Sequence, residues 1–239
     1  MNETQLILPE GYVTGCLPRK TRFATSCKAL ADDIETIPRD KWAHLIGKVD
    51  LRLNVRQVID QQNYGSCAAC STTQALMITR DVAGAPFTFL NPLSIYRVTS
   101  GGRDNGSSID ENLAFARDTG VLPENYWPYS KGFKAMPPTG WQHVAKGYRI
   151  QEFWDIGSVD ELGTALLKGF AVVFGWQGHS CVFTRLLSDT EAEYCNSWGK
   201  EWNGNGMGRL RLNQVNWGYG SFALRTSTHA GPDPDVPGN

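Results

Sequence analysis

The chain has 239 residues and a formal net charge of −1, with 41% hydrophobic and 20% charged residues. This composition is that of a globular protein with one large core or two smaller lobes, and it excludes wholesale disorder. The nearly balanced charge excludes a surface for nucleic acid or anionic membrane built on a basic excess. No run of about 18 apolar residues occurs, so the sequence predicts no membrane-spanning helix.

The two ends of the sequence carry little information about the fold. The first five residues include no basic residue and no long apolar run follows, which predicts the absence of a secretory signal. We therefore expect an intracellular protein or a component of a viral or multi-subunit assembly, with reduced thiols. Residues 229–239 are rich in Pro, Gly and Asp and cannot pack a core, so assembly neighbours are expected to hold the termini where they are ordered.

Hydrophobic periodicity predicts helices in the first half of the chain and strands in the second. The predicted helices cover residues 68–80 and 92–98, a segment from Ser108 to Gly120, and a segment from Ser158 to Gly169. The predicted strands cover residues 171–174, 181–187, 192–196, 208–212 and 222–225. Ser108 and Ser158 are each followed three residues later by glutamate, which is the capping-box pattern. Helices and strands segregated in this way predict an α+β fold.

Four residues supply the parts that acyl transfer requires: Cys67, His179, Asn196 and Gln61. A cysteine attacks a carbonyl as the thiolate, so a base such as histidine must take its proton. The imidazole must be held in one orientation, which an asparagine carbonyl can do. The oxyanion then needs donors, and a glutamine amide and the N–H of the nucleophile supply two. Since Cys67 precedes a predicted helix, we expect the helix N-terminus to lower the pKa of its thiol.

These motifs resemble those of the papain-like cysteine peptidases, in a bacterial or viral-type version. The resemblance begins near Val49 and rests on the block Gln61–Cys67, on the aromatic-Pro-Tyr turn Trp127–Tyr129 and on the run Asn196–Gly206, which opens with Asn-Ser-Trp-Gly. It implies a two-lobe fold, with a helical lobe around a central helix and an antiparallel β-barrel lobe. The cleft between the lobes is expected to bring the cysteine to the histidine and the asparagine.

The domain boundaries follow from the same resemblance. We expect a helical lobe over residues 49–133 and a β-rich lobe over residues 134–228. Residues 1–48 precede the resemblance and are read as an extension: an arm packed on the domain, a short prosegment or an anchor to another protein. Residues 229–239 form the tail.

Two cysteines compete for the role of nucleophile. The family's glutamine stands six residues before the catalytic cysteine, and Gln61 stands six before Cys67 but not before Cys70. We therefore assign Cys67 and interpret Cys70 as a small apolar residue. The sequence departs from the family at Tyr64, where a disulfide-forming cysteine is usual, and at Ala68, where a tryptophan is usual.

The resemblance also implies substrate-binding positions. The family's paired glycines map onto Gly106 and Ser107, which would pair with an extended substrate backbone. Gly178 is expected to add a carbonyl to that pairing, and Trp198 is expected to shield the histidine–asparagine hydrogen bond from water. Leu224 is expected near the pocket for the side chain two positions before the scissile bond.

The sequence thus predicts a cysteine endopeptidase that acts on polypeptides through an acyl-enzyme, with no metal and no cofactor. Two alternatives stay open. One is a transpeptidase or amidase that uses the same residues; the other is a catalytically silent structural component, in which the N-terminal segment plugs the site.

Overall fold

The computed structural model describes residues 5–19 and 27–226. The α-helices are α1 (Leu30–Asp33), α2 (Trp42–Leu45), α3 (Cys67–Val82), α4 (Leu93–Thr99), α5 (Ile109–Asp118), α6 (Trp141–Ala145) and α7 (Val159–Leu167). The strands are β1 (Cys16–Leu17), β2 (Lys28–Ala29), β3 (Ser107–Ser108), β4 (Ile150–Asp155), β5 (Ala171–Trp176), β6 (His179–Leu186), β7 (Glu191–Cys195), β8 (Met207–Arg211) and β9 (Ser221–Thr226). Short 3-10 helices cover Arg39–Lys41, Leu51–Asn54, Tyr129–Lys131, Trp202–Gly204 and Leu212–Gln214.

The α+β class predicted from the sequence is confirmed, and each predicted helix and strand is present. Strand β4 was missed because its residues do not alternate regularly. Its pairing with β9 shifts between Ile150 and Glu152, and the burial pattern along the strand breaks at the same place. A bulge of this kind removes the period-two pattern on which strand prediction depends.

The second half of the chain forms most of a seven-stranded sheet with the order β2-β4-β9-β5-β6-β7-β8. All neighbours from β4 to β8 in this order are antiparallel, and β2 joins β4 in parallel. A second, two-stranded sheet pairs β1 with β3 in parallel. The two strands of this small sheet come from the N-terminal segment and from the residues directly before α5.

Helix α3 is the central element of the core. From Cys67 to Thr79 every residue of this helix is buried. It lies against β5, β6 and β9 of the large sheet and against α4 and α5 on its other side. A polar contact crosses this boundary, where the hydroxyls of Ser71 and Ser180 are 2.6 Å apart. Within the helix, the hydroxyls of Ser71 and Thr79 donate to the carbonyls of Ala68 and Leu76, both at 3.0 Å, which satisfies these two buried polar groups.

The two predicted capping boxes differ in outcome. The hydroxyl of Ser158 accepts a hydrogen bond from the N–H of Glu161 at 3.2 Å, so this cap is confirmed. Ser108 instead donates its hydroxyl to the Glu111 carboxylate at 3.0 Å and accepts no helix N–H. Donation to a carboxylate does not by itself prevent capping, because Ser158 also donates its hydroxyl to Glu161 Oε1 at 3.2 Å and still accepts the helix N–H.

All six cysteines are unpaired, and all except the half-buried Cys27 are buried. Within residues 5–19 and 27–226, no helix has the length and apolar character that crossing a membrane requires. The tail assigned to residues 229–239 lies outside the described residues, as do residues 1–4.

Candidate active site

Cys67 is the first residue of α3 and is fully buried. The loop before it carries Gln61, whose backbone N–H donates to the carbonyl of Ser197 at 2.8 Å. An isolated bridge between Asp60 and Trp198 joins the same two segments. The loop that presents the cysteine is therefore tied to the segment that follows the predicted catalytic asparagine.

His179 and Asn196 form a close pair on the sheet. His179 is the first residue of β6, Asn196 follows the last residue of β7, and His179 Nε2 lies 2.7 Å from Asn196 Oδ1. The Asn196 oxygen also accepts the N–H of Ser197 at 2.8 Å, which fixes the amide. The indole of Trp198 stacks on the imidazole at 4.7 Å and covers this hydrogen bond. The other ring nitrogen of His179, Nδ1, has no hydrogen-bond partner among the described residues.

The side-chain amide of Gln61 is held in one orientation. Its Oε1 accepts the hydroxyl of Ser197 at 2.6 Å, so its Nε2 must point the other way. Nε2 donates to the carbonyl oxygens of Tyr64 and Val13, both at 2.9 Å. This contact of Ser197 was not predicted from the sequence, although Ser197 lies inside the Asn-Ser-Trp-Gly motif. A hydroxyl in such a motif was a usable signal, since an oxyanion amide needs an anchor for its oxygen.

A peptide segment already fills the cleft. We call residues 5–19 the N-terminal arm. The backbone N–H of Gly15 donates to the sulfur of Cys67 at 3.3 Å. The carbonyl of Val13 accepts a hydrogen bond from the Gln61 amide, and the ring centroids of Tyr12 and Trp198 are 5.9 Å apart. The arm therefore covers the sulfur, the candidate oxyanion donor and the tryptophan beside the imidazole.

The arm also uses the positions that the resemblance assigns to substrate backbone. Ser107 donates its N–H to the carbonyl of Gly15, and Cys16 donates its N–H to the carbonyl of Gly178, both at 2.9 Å. Strand β1 of the arm runs parallel to β3, with Cys16 opposite Ser107. Cys16 is buried in the same apolar cluster as Leu224, the residue expected near a side-chain pocket.

Gly15 is a position where no other residue fits. A Cβ on this glycine would lie 1.9 Å from the carbonyl oxygen of Gly65, inside the backbone of the nucleophile loop. Gly106 faces the same point: a Cβ there would lie 2.5 Å from the Gly15 carbonyl oxygen, and its φ of +90° suits glycine. The arm can approach the sulfur this closely only because both facing residues have no side chain.

A buried ion pair fastens the arm beyond the cleft. The guanidinium of Arg19 makes a bidentate contact with the carboxylate of Asp155, with Arg19 Nη2 2.9 Å from Asp155 Oδ2. The two side chains are 10% and 3% exposed, so the pair is shielded from water. The N–H of Arg19 also donates to the carbonyl of Gly218 at 3.0 Å. Removing one partner of such a pair leaves a buried charge and costs about 3–5 kcal/mol.

The closed site changes the pKa values of the candidate catalytic pair. Burial raises the pKa of the Cys67 thiol to about 11 and lowers the pKa of His179 to about 4. The backbone N–H groups of Cys67 and Ala68 at the helix N-terminus do lower the pKa of the thiol, as expected, but desolvation of the sulfur outweighs them and the net shift is upward. Near neutral pH both groups are uncharged, and the thiolate–imidazolium pair needed for attack is absent.

Solved structures of other proteins share the fold of this chain. Xylellain, a cysteine protease from Xylella fastidiosa, superposes with a TM-score of 0.72 at 20% identity, over 94% of this chain and 100% of that one. Digestive procathepsin L 3 of the Tenebrio molitor larval midgut gives 0.62 at 17% identity, over 85% and 77%. The Carica candamarcensis cysteine protease CMS1MS2, in complex with E-64, gives 0.56 at 17% identity, over 74% and 97%. The chain has the papain-like fold. No family model matches it, and no curated protein does.

Within this papain-like fold, His179 pairs with Asn196, Gln61 pairs with the neighbouring Ser197, and the Cys67 sulfur has a backbone hydrogen bond from Ser180, the residue after His179. Helix α3 supplies Cys67, the loop before it supplies Gln61, and the sheet supplies His179 and Asn196. The competing thiol of Cys70 is buried one helical turn on, 3.5 Å from the hydroxyl of Ser66, and burial raises its pKa strongly.

Proposed function

We propose that the chain is a papain-like cysteine endopeptidase held latent by its own N-terminal arm. Once the arm leaves, the Cys67 thiolate attacks a peptide carbonyl carbon while His179 holds the proton taken from the thiol. The Gln61 amide and the Cys67 N–H hold the oxyanion. His179 returns the proton to the departing amine, and water then attacks the thioester, which releases the carboxylic acid and restores the thiol.

One observation carries this proposal: the cleft already holds a peptide backbone with a carbonyl oxygen on the Gln61 amide. The Val13 oxygen accepts from Gln61 Nε2 at 2.9 Å, where a developing oxyanion would need its donor. The sulfur faces the N–H of Gly15 instead of a carbonyl carbon, so the arm binds without being positioned for attack. A site that accepts a peptide in this way fits a polypeptide substrate better than a small amide.

The test compares the full chain with variants of the candidate residues on fluorogenic peptides. We expect low activity in the full chain, higher activity once the arm is displaced, and loss of activity in Cys67→Ala and His179→Ala. An epoxysuccinyl thiol reagent followed by peptide mapping should label Cys67 in the displaced form. Labelling at Cys70 alone would remove the assignment of the nucleophile.

A second candidate is a silent papain-like component, favoured by the same arm and by the uncharged state of the thiol and the imidazole. The two candidates separate when the arm is displaced. A chain whose arm is free but whose Cys67 stays unreactive at neutral pH is a silent component. A transpeptidase would show itself by transfer of the acyl group to an added amine in preference to water.

A further inference from the structure

The loop that presents the nucleophile and the edge that receives the peptide are joined by two side chains outside the four catalytic candidates. The Asp104 carboxylate accepts the N–H of Gly65 at 2.9 Å and the hydroxyl of Tyr96 at 2.6 Å, both through Oδ1. The same Tyr96 hydroxyl accepts the N–H of Gly106 at 3.1 Å. Gly65 lies two residues before Cys67, and Gly106 precedes Ser107, whose N–H binds the arm.

The contact is tight enough to fix the spacing between the two segments. A Cβ on Gly65 would meet Tyr96 Oη at 3.2 Å and Asp104 Oδ1 at 3.4 Å, so this glycine already touches both groups. Tyr96 is fully buried on α4, and its rigid ring leaves the hydroxyl little freedom. Burial is the main cause that raises the pKa of Tyr96, and the hydrogen bond to Asp104 raises it further. The hydroxyl therefore keeps its proton and remains a donor.

No disulfide bond holds the nucleophile loop in addition to these hydrogen bonds. The resemblance implies a disulfide-forming cysteine at position 64, where this chain has a tyrosine, and none of the six cysteines is paired. Hydrogen bonds to a carboxylate are among the stronger neutral-to-charged contacts available to a protein. They are the polar links that hold Gly65 at this edge.

We propose that Asp104 and Tyr96 are positioning residues that set the distance between the nucleophile loop and the peptide-binding edge. The inference rests on the proposed function. Asp104 holds the nucleophile loop through Gly65, and Tyr96 holds the edge through Gly106 while it is itself anchored on Asp104. The two residues therefore act differently: the loss of Tyr96 frees the edge alone, whereas the loss of Asp104 frees both segments.

The first test is amide hydrogen exchange on the full chain, which needs no activity. In Asp104→Ala the segments 61–67 and 103–108 should exchange about tenfold faster, because the Gly65 acceptor is gone and Tyr96 is unanchored. Asp104→Asn should restore protection, since an amide oxygen still accepts both hydrogen bonds. Asp189→Ala, a change at an exposed acid of another loop, is the matched control. The comparison is repeated in a Gly15→Ala background. The added Cβ clashes with the Gly65 carbonyl and is expected to displace the arm, so differences in arm binding between the variants no longer affect the exchange rates.

The second test separates the two residues by kinetics in that same background. Tyr96→Phe should raise KM for an extended peptide several-fold and leave the alkylation rate of Cys67 by iodoacetamide unchanged. Asp104→Ala should lower kcat by about tenfold and change the alkylation rate as well, because small displacements of a nucleophile cost rate steeply.

Unchanged hydrogen exchange in Asp104→Ala overturns the proposal. An equal loss of kcat/KM in Asp104→Ala and Tyr96→Phe that follows only their melting temperatures overturns it as well. Absence of peptidase activity in Gly15→Ala, in which the arm is displaced, would instead count against the proposed function, while exchange and alkylation still report on the network.

Discussion

The N–H of Gly15 lies 3.3 Å from the sulfur of Cys67 and donates to it, while His179 Nδ1 has no partner among the described residues. The arm thus takes the hydrogen-bonding position of a substrate-side group without offering a carbonyl carbon to the sulfur. Steric blockage and desolvation act together here, since the segment that fills the cleft also keeps water from the thiol and the imidazole.

Gly15→Ala should open the site. The added Cβ would lie 1.9 Å from the Gly65 carbonyl oxygen, and neither backbone can yield without moving the loop or the arm. Overpacking of this size costs about 1–3 kcal/mol, which weakens the seating of the arm by about 5–150-fold. We expect peptidase activity of the full chain to rise by a similar factor, measured on a fluorogenic peptide.

Ile7→Ala is the control for that variant, because Ile7 belongs to the arm but is 81% exposed. It should leave activity at the level of the parent chain. Equal activities in the parent chain, Ile7→Ala and Gly15→Ala would show that the arm does not limit access to the site.

The alkylation rate of Cys67 should rise with pH over different pH ranges in the closed and open states. With a pKa of about 11 in the closed state, the thiol keeps its proton at neutral pH and its alkylation rate should rise only as the pH approaches that value. With a pKa of about 4, His179 stays neutral over the same range and offers no imidazolium to stabilise the thiolate. In Gly15→Ala the buried environment is lost, so the rate should already be high near pH 7.

Rates of iodoacetamide alkylation, followed by intact mass between pH 5 and pH 11, check this prediction. The arm variant and the parent chain sharing one pH profile would mean that the arm does not set the ionisation of the thiol.

The catalytic candidates could be proposed from the sequence because their signals are local. Cys67 begins a helix whose apolar and small residues recur at helical spacing, and Asn196 belongs to the specific four-residue motif Asn-Ser-Trp-Gly. The position of the arm was not predictable in the same way. Its contacts join Gly15 to Gly65 and Cys16 to Gly178, pairs that are far apart in sequence and are made mainly by backbone groups. Backbone hydrogen bonds leave no residue-type signature, so the sequence offered an arm, a prosegment and an anchor as equal readings.

The hydroxyl of Ser197 should matter to catalysis through Gln61. It holds Gln61 Oε1 at 2.6 Å, and without it the amide can rotate and turn its oxygen toward the oxyanion. Loss of an oxyanion donor costs about 10²–10³ in kcat, so Gln61→Ala should fall in that range and Ser197→Ala should cost about tenfold. The double variant should be no worse than Gln61→Ala alone, because both changes act on one donor.

Kinetics of the two single variants and the double variant, in the Gly15→Ala background, check the coupling. Losses that multiply would show that Ser197 acts elsewhere, and a normal kcat in Ser197→Ala would show that other contacts suffice to orient the amide.

Asp60 should influence which substrate side chain the enzyme accepts beside Trp198. Its Oδ1 accepts the phenol of Tyr12 at 2.9 Å, and the Tyr12 ring lies against Trp198 beside the imidazole. With the arm displaced, an exposed carboxylate beside an indole is left at this position, which favours lysine or arginine. Since exposed ion pairs contribute about 0.2–1 kcal/mol, the preference over a neutral residue should be at most about fivefold. Profiling Gly15→Ala on a peptide library measures it, with Asp60→Asn expected to abolish the preference and Asp189→Asn to keep it. A basic preference that survives in Asp60→Asn would assign the selectivity to another group, because the substituted amide keeps the size of the side chain and removes only its charge.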